Sequence, residues 1–112
     1  MHQTGILRKE HVYRTDGFIH SSPDSIEHEL NNVIKRINSD HSTLAIVMTC
    51  LDFHMIRPFS HGNNQVMWKL LQYMKPVSDD PSHRLKFLSL IEKCESGRNA
   101  TPEMVCLLET WI

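Results

Sequence analysis

The chain has 112 residues, 12 Lys and Arg against 13 Asp and Glu, and 40% apolar residues, the profile of one small globular domain rather than two. A formal net charge of −1 argues against a dedicated nucleic-acid binder, because neutralising phosphates takes clustered Lys and Arg. The 8 histidines would carry the net charge to about +7 if all were protonated, so any anion affinity should grow below pH ~6.5. Cys50, Cys94 and Cys106 are widely spaced with no C-x-x-C pair, which fits neither a disulfide framework nor a zinc ribbon and suits a reducing compartment. The longest apolar run, Leu44 to Met48, holds five residues, far short of a membrane span. The first residues, MHQTGILRKEH, lack the apolar segment of a signal peptide, so cytoplasmic residence is the expectation.

In chain order, residues 1–20 carry strand-type side chains (Ile6, Leu7, Val12, Tyr13, Phe18, Ile19) around a Thr15-Asp16-Gly17 turn, which predicts a β-hairpin. Ser22-Pro23 is a helix-start signal, and Ile26, Leu30, Val33, Ile34 and Ile37 follow at helical spacing, predicting an amphipathic helix over 23–38. Its Glu27, Glu29, Lys35 and Arg36 read as a solvated face. A polar break leads into 43–56, apolar or small at almost every position and therefore expected to be buried on most of its circumference. Pro58 stops it. Gly62-Asn63-Asn64 is a turn signal before a helix over 63–74, and further helices are expected over 82–95, closed by Gly97, and over 102–111 after Thr101-Pro102. Met48, Met55, Met67 and Met74 fall at helical spacing and read as core filler.

The segment joining the two central helices runs Phe53-His-Met-Ile56-Arg57-Pro58-Phe59-Ser-His61-Gly62-Asn63-Asn64-Gln65. The amides of Gly62, Asn63 and Asn64 at a helix start form a potential anion nest, with the positive end of the helix dipole behind them. The plainer alternative is a simple cap with Asn63 as N-cap residue. Cys50 and His54 lie one helical turn apart and could hold a soft metal, with His61 as a third ligand, although no local pair has a recognised zinc spacing; a small buried Cys and a hydrogen-bonded His are the plainer reading.

This segment resembles the signature of the Fic family (filamentation induced by cAMP), H-P-F-x-[D/E]-G-N-[G/K]-R between two buried helices. Pro58, Phe59, Gly62 and Asn63 match it, and Phe53 and Ile56 match the usual approach. The flanks add to the likeness: Gly5-Ile-Leu7-Arg8, Val12, Gly17 and Ser22-Pro23 look like the family's flap, and Leu85 to Trp111 resembles the helices after the motif. The likeness spans roughly Gly5 to Trp111, without the family's usual helix before the flap. It implies a mainly α, compact Fic-like single domain over 1–112 with an N-terminal β-hairpin flap that could pair with an extended target segment.

The departures from the signature fall on its chemistry. The family's general-base His is Arg57 here, which cannot accept a proton. The acidic cation ligand is His61, and imidazole is a poor ligand for Mg²⁺. The phosphate-gripping Arg positions are Gln65 and Trp68, and Trp68 could fill the emptied pocket or stack on a ligand base. Ordinary adenylyl transfer is thus not expected, and no cofactor is, ATP and Mg²⁺ entering only if activity is retained. The expected function is protein binding through the flap region 5–20 or an exposed helical face, with a homodimer possible and neither nucleic acid nor membrane as partner. The alternatives are a nucleotidyl or other phosphate-donor transferase run by Arg57 and His61, and a nucleotide or anion sensor using Gly62, Asn63 and Asn64 with Gln65 and Trp68.

Overall fold

Residues 7–12, 20–39, 41–77, 79–95 and 101–111 are described by the computed structural model. Five α-helices follow in order: α1 (Ile26–Ile37), α2 (Thr43–Ile56), α3 (Asn63–Met74), α4 (Pro81–Glu95) and α5 (Thr101–Thr110). The protein is mainly helical, and none of its described helices is long and apolar enough to cross a membrane.

α2 is the axis of the fold. Its sequence, TLAIVMTCLDFHMI, is apolar around nearly the whole cylinder, and the structure surrounds it with α1, α3, α4 and α5. Ile46, Val47, Cys50, Phe53 and Ile56 are buried, and Thr49 turns its hydroxyl inward to the Ala45 carbonyl at 2.7 Å. Ser42 caps the helix by accepting from the Ala45 amide. The envelope is incomplete at this first end: Leu44 is 55% and Met48 40% exposed, so Met48 is not core filler, whereas Met67 and Met74 are. Both exposed residues lie in the first two turns, where a groove of about 470 Å³ bounded by Arg36, Ser39 and Ser42 separates them from α1.

α1 begins with a 3-10 turn over Pro23–Ser25, because Pro23 fixes φ and the Ser25 amide bonds back to the Ser22 carbonyl at 3.0 Å. Ile26, Val33 and Ile37 face α2. Two of the charges expected on its solvated face are engaged instead. Glu29 accepts from the Ser21 hydroxyl at 2.5 Å, and Arg36 pairs with Asp52 of α2. Glu27 and Lys35 are exposed.

The front segment departs from the predicted hairpin. No strand occurs among the described residues, and the Thr15-Asp16-Gly17 turn lies outside them, as does Gly97. Leu7 forms an isolated antiparallel bridge with Phe59, and the Arg8 amide donates to the Pro58 carbonyl at 2.8 Å. The backbone of this segment is thus committed to the loop after α2. The His20 N–H donates to the Val12 carbonyl at 3.1 Å and joins the two described ends of the front segment.

The reason for this arrangement is the C-terminus of α2. A helix leaves its last carbonyls without intrahelical partners, and here that end is packed under the front segment. Arg8, 3% exposed, supplies the donors: Nη2 to the Ile56 carbonyl at 2.8 Å and Nε to the Arg57 carbonyl at 2.5 Å. Its remaining bonds reach back to the Glu10 carbonyl from Nη1 at 2.7 Å and to the Ser21 carbonyl from Nη2 at 2.5 Å. The Met55 carbonyl accepts from the Ser21 amide at 3.4 Å and from His20 Nδ1 at 3.1 Å. Four consecutive carbonyls, Met55 to Pro58, are therefore satisfied from the front segment. Burial holds the Arg8 guanidinium below its ordinary pKa, the Glu10 carboxylate offsets part of this, and the cation complements the negative end of the α2 dipole.

Arg8→Ala should therefore destabilise the fold by roughly 3 kcal/mol, since buried carbonyls lose a charged donor. Arg8→Lys should recover less than about half of that loss, because a point ammonium cannot span the four acceptors. Urea unfolding of the three proteins checks both statements.

Candidate functional site

The loop from Arg57 to Gly62 joins α2 to α3, and its shape is set at both ends by residues in the left-handed region. Arg57 ends α2 at φ 48°, ψ 64°, and Gly62 precedes α3 at φ 80°, ψ 13°. Glycine adopts that conformation freely, whereas for Arg57 it costs about 1 kcal/mol. Arg57 is held there by its own amide, which donates to the Phe53 carbonyl at 3.0 Å, and by Arg8 on its carbonyl. It closes a helix end.

Asn63 is not the N-cap; that position is Gly62, and Asn63 is the first residue of α3. Its buried side chain instead reads the backbone of Phe59 in both directions. Oδ1 accepts from the Phe59 amide at 2.9 Å, and Nδ2 donates to the Phe59 carbonyl at 2.7 Å. A carboxylate could not do this, because the second bond needs a donor. At the outer side of the loop, the Ser60 hydroxyl donates to Glu10 Oε1 at 2.8 Å, which holds the Glu10 carboxyl below its ordinary pKa. Pro58 is buried and Phe59 half-buried.

Of the residues predicted from sequence, His61, Asn64 and Gln65 are exposed and Gly62 and Arg57 are half-buried. The first amides of α3 have no intrahelical acceptors and lie at the positive end of its dipole. Trp68, one turn further, is 3% exposed and belongs to the core. Its ring lies 5.9 Å from Trp111 in an edge-on arrangement and 6.1 Å from Phe87, while His83 stacks on Trp111 at 4.7 Å. The Trp68 indole N–H donates to Asp79 Oδ1 at 3.0 Å, and Arg84 donates to the same atom at 2.8 Å. These bonds, the indole's first, hold the Asp79 carboxyl below its ordinary pKa.

Cys50 is buried, and burial alone pushes its thiol up to about 12, which does not suit a nucleophile. His54 is buried too, its ring edge-on to His20 at 5.9 Å. Among the described residues no three His, Cys, Asp or Glu side chains come together as a metal site would require, so His61 does not complete a set with Cys50 and His54.

Three residues that the signature does not point to complete the loop's support: Arg8, Glu10 and Ser60. The sequence holds one clue to Arg8, an apolar helix ended by Pro58 whose orphan carbonyls need a donor, but nothing local selects one cation out of 12. A cleft of about 330 Å³ opens beside this support between α1 and α2. Its charged groups are already matched, Glu29 to Ser21 and Arg36 to Asp52. No protein-family model matches the chain, and no curated protein matches it.

Asn63→Ala should cost about 1–2 kcal/mol and free the Phe59 amide, which should then exchange with solvent deuterium at least about tenfold faster. Asn63→Asp should keep the amide's acceptor and leave the Phe59 carbonyl unpaired. Exchange at Phe59 in the three proteins checks this order.

Proposed function

We propose that this chain is a degenerate Fic-like domain that lacks adenylyl transfer and acts by binding a protein partner through the front segment, residues 5–20. The observation that carries this reading is the fastening of residues 7–10 along the loop 57–60 by Arg8, the Leu7–Phe59 bridge and the Glu10–Ser60 bond. Lys9, Glu10 and His11 are exposed on that segment, which offers an extended partner a backbone already fixed in place.

The residues of the loop and of the start of α3 support a reading without transfer. Arg57 offers no basic lone pair, and its backbone closes α2. His61 offers an imidazole where a hard oxygen ligand would hold Mg²⁺. Gln65 is neutral, and Trp68 is packed against Phe87 and Trp111. Each missing group would have supplied several kcal/mol of transition-state stabilisation. Cytoplasmic residence and self-association belong to the same proposal, the exposed pair Leu44 and Met48 being the face a second copy would cover.

The second reading, a transferase or nucleotide sensor, rests on the helix start at Gly62 to Asn64, where the N-cap residue makes no side-chain cap bond. Labelled ATP with Mg²⁺ and a cell lysate separates the two. No modified protein should appear above a no-protein control, and calorimetry should give ATP affinity no tighter than about millimolar, roughly −4 kcal/mol. Labelling that disappears in His61→Ala would establish a transferase, and a micromolar constant without labelling would establish a sensor.

A further inference from the structure

A second surface, sharing no residue with the loop, has the form of a helix-binding groove. It runs between α4 and α5 and encloses about 780 Å³. The α4 wall is Lys86, Ser89, Leu90 and Lys93, at positions i, i+3, i+4 and i+7. On the α5 wall, Glu103, Cys106, Leu107 and Thr110 repeat the same spacing. Each wall is therefore one helical ridge two turns long, and two such ridges leave a trough that a third helix fits by ridge-into-groove packing. An extended strand, with its period of two, would meet these walls out of step.

The chemistry of the trough selects the occupant. Its lining is apolar at Leu90, Leu107 and Pro102. Lysines stand at both ends of the α4 ridge, about 10 Å apart by helical rise, against the single carboxylate of Glu103. Lys93 meets Glu103 at 3.9 Å with both side chains largely solvated, a contact worth little and readily exchanged. Lys86 has no ion-pair partner among the described residues. We infer that the α4–α5 groove docks an acidic amphipathic helix of a partner protein, one whose apolar face covers Leu107 and Pro102 above the buried Leu90 while carboxylates two turns apart meet Lys86 and Lys93. This goes beyond binding through the front segment and stands whether or not that reading holds.

Cys106 makes the inference measurable. It is an exposed free thiol in the groove, while Cys50 is buried and Cys94 half-buried, so alkylation at Cys106 reports whether the trough is covered. The probe is a synthetic helix of roughly four turns with leucines on one face and two glutamates two turns apart beside them; the comparison peptide carries lysines in place of the glutamates. With the full chain, the acidic peptide should bind at least about tenfold tighter than its basic counterpart by fluorescence anisotropy, and at saturation should slow Cys106 alkylation by at least about tenfold. The double substitution Lys86→Glu with Lys93→Glu, on exposed positions, should invert the preference. Cys106→Arg, which fills the trough, should abolish binding of the acidic peptide.

Equal binding of the two peptides, alkylation unaffected by the acidic one, or a preference that survives charge reversal would overturn the inference. So would concentration-dependent protection of Cys106 without peptide together with a dimer in sedimentation, which would give the groove to a second copy. None of these substitutions touches residues 7–12 or 57–63, so failure here leaves the ATP experiment's outcome readable by itself.

Discussion

The end of α2 has to be satisfied from outside the helix, and that requirement organises the rest of the molecule. The central helix is apolar around its axis, so its termination cannot simply be left to water while the front segment packs over it. Arg8, the Ser21 amide and His20 meet the four carbonyls from Met55 to Pro58. A single planar guanidinium meets two of the four, Ile56 and Arg57, because its donors fan out in one plane and stay charged at any accessible pH, and the Arg8 amide meets Pro58. The route of the chain before α1 then follows, since residues 8 and 21 must both reach the same helix end.

The same constraint shapes the loop. With the carbonyls of Ile56, Arg57 and Pro58 fixed by Arg8, the chain leaves α2 in a left-handed turn, and Asn63 holds Phe59 from the other side. The result is a loop whose shape is fixed by bonds from Arg8 and Asn63. One turn into α3, the Trp68 indole is joined to Trp111, Phe87 and His83 in an aromatic cluster, each ring pair adding about 0.5–1.5 kcal/mol beyond area burial. Trp68 thus ties the helix that leaves the loop into the core.

Periodicity and punctuation are local signals, and the features they govern were legible in the residues. A polar break before an apolar run, Pro58 after it, and Gly62 ahead of the Val66-Met67-Leu70-Leu71-Met74 pattern mark α2, α3 and the loop between them. The front segment was not legible in the same way. Strand-type residues around Asp16-Gly17 suggest a strand pairing with its neighbour, whereas the bond partner of Leu7 is Phe59, 52 residues away in sequence, and the donor to the helix end is a side chain. Long-range satisfaction of orphan carbonyls leaves no pattern in a window of ten residues. Exposure at Leu44 and Met48 was hidden for a related reason, because hydrophobicity tells which residues can be buried and not which are covered. For Asn63 the type was readable and the role was not: a cap and a backbone clamp use the same amide.

The central claim is that Arg8 and Asn63 hold one loop between them, and a double-mutant cycle on stability tests it directly. Arg8→Gln, Asn63→Ala and the double variant would be unfolded in urea alongside the parent. Because the two side chains fix adjoining stretches of the same backbone, the account predicts that the second loss costs less than it does in the parent, with a coupling of at least about 1 kcal/mol. Additivity within about 0.3–0.5 kcal/mol would contradict it, showing that the helix end and the loop are held independently.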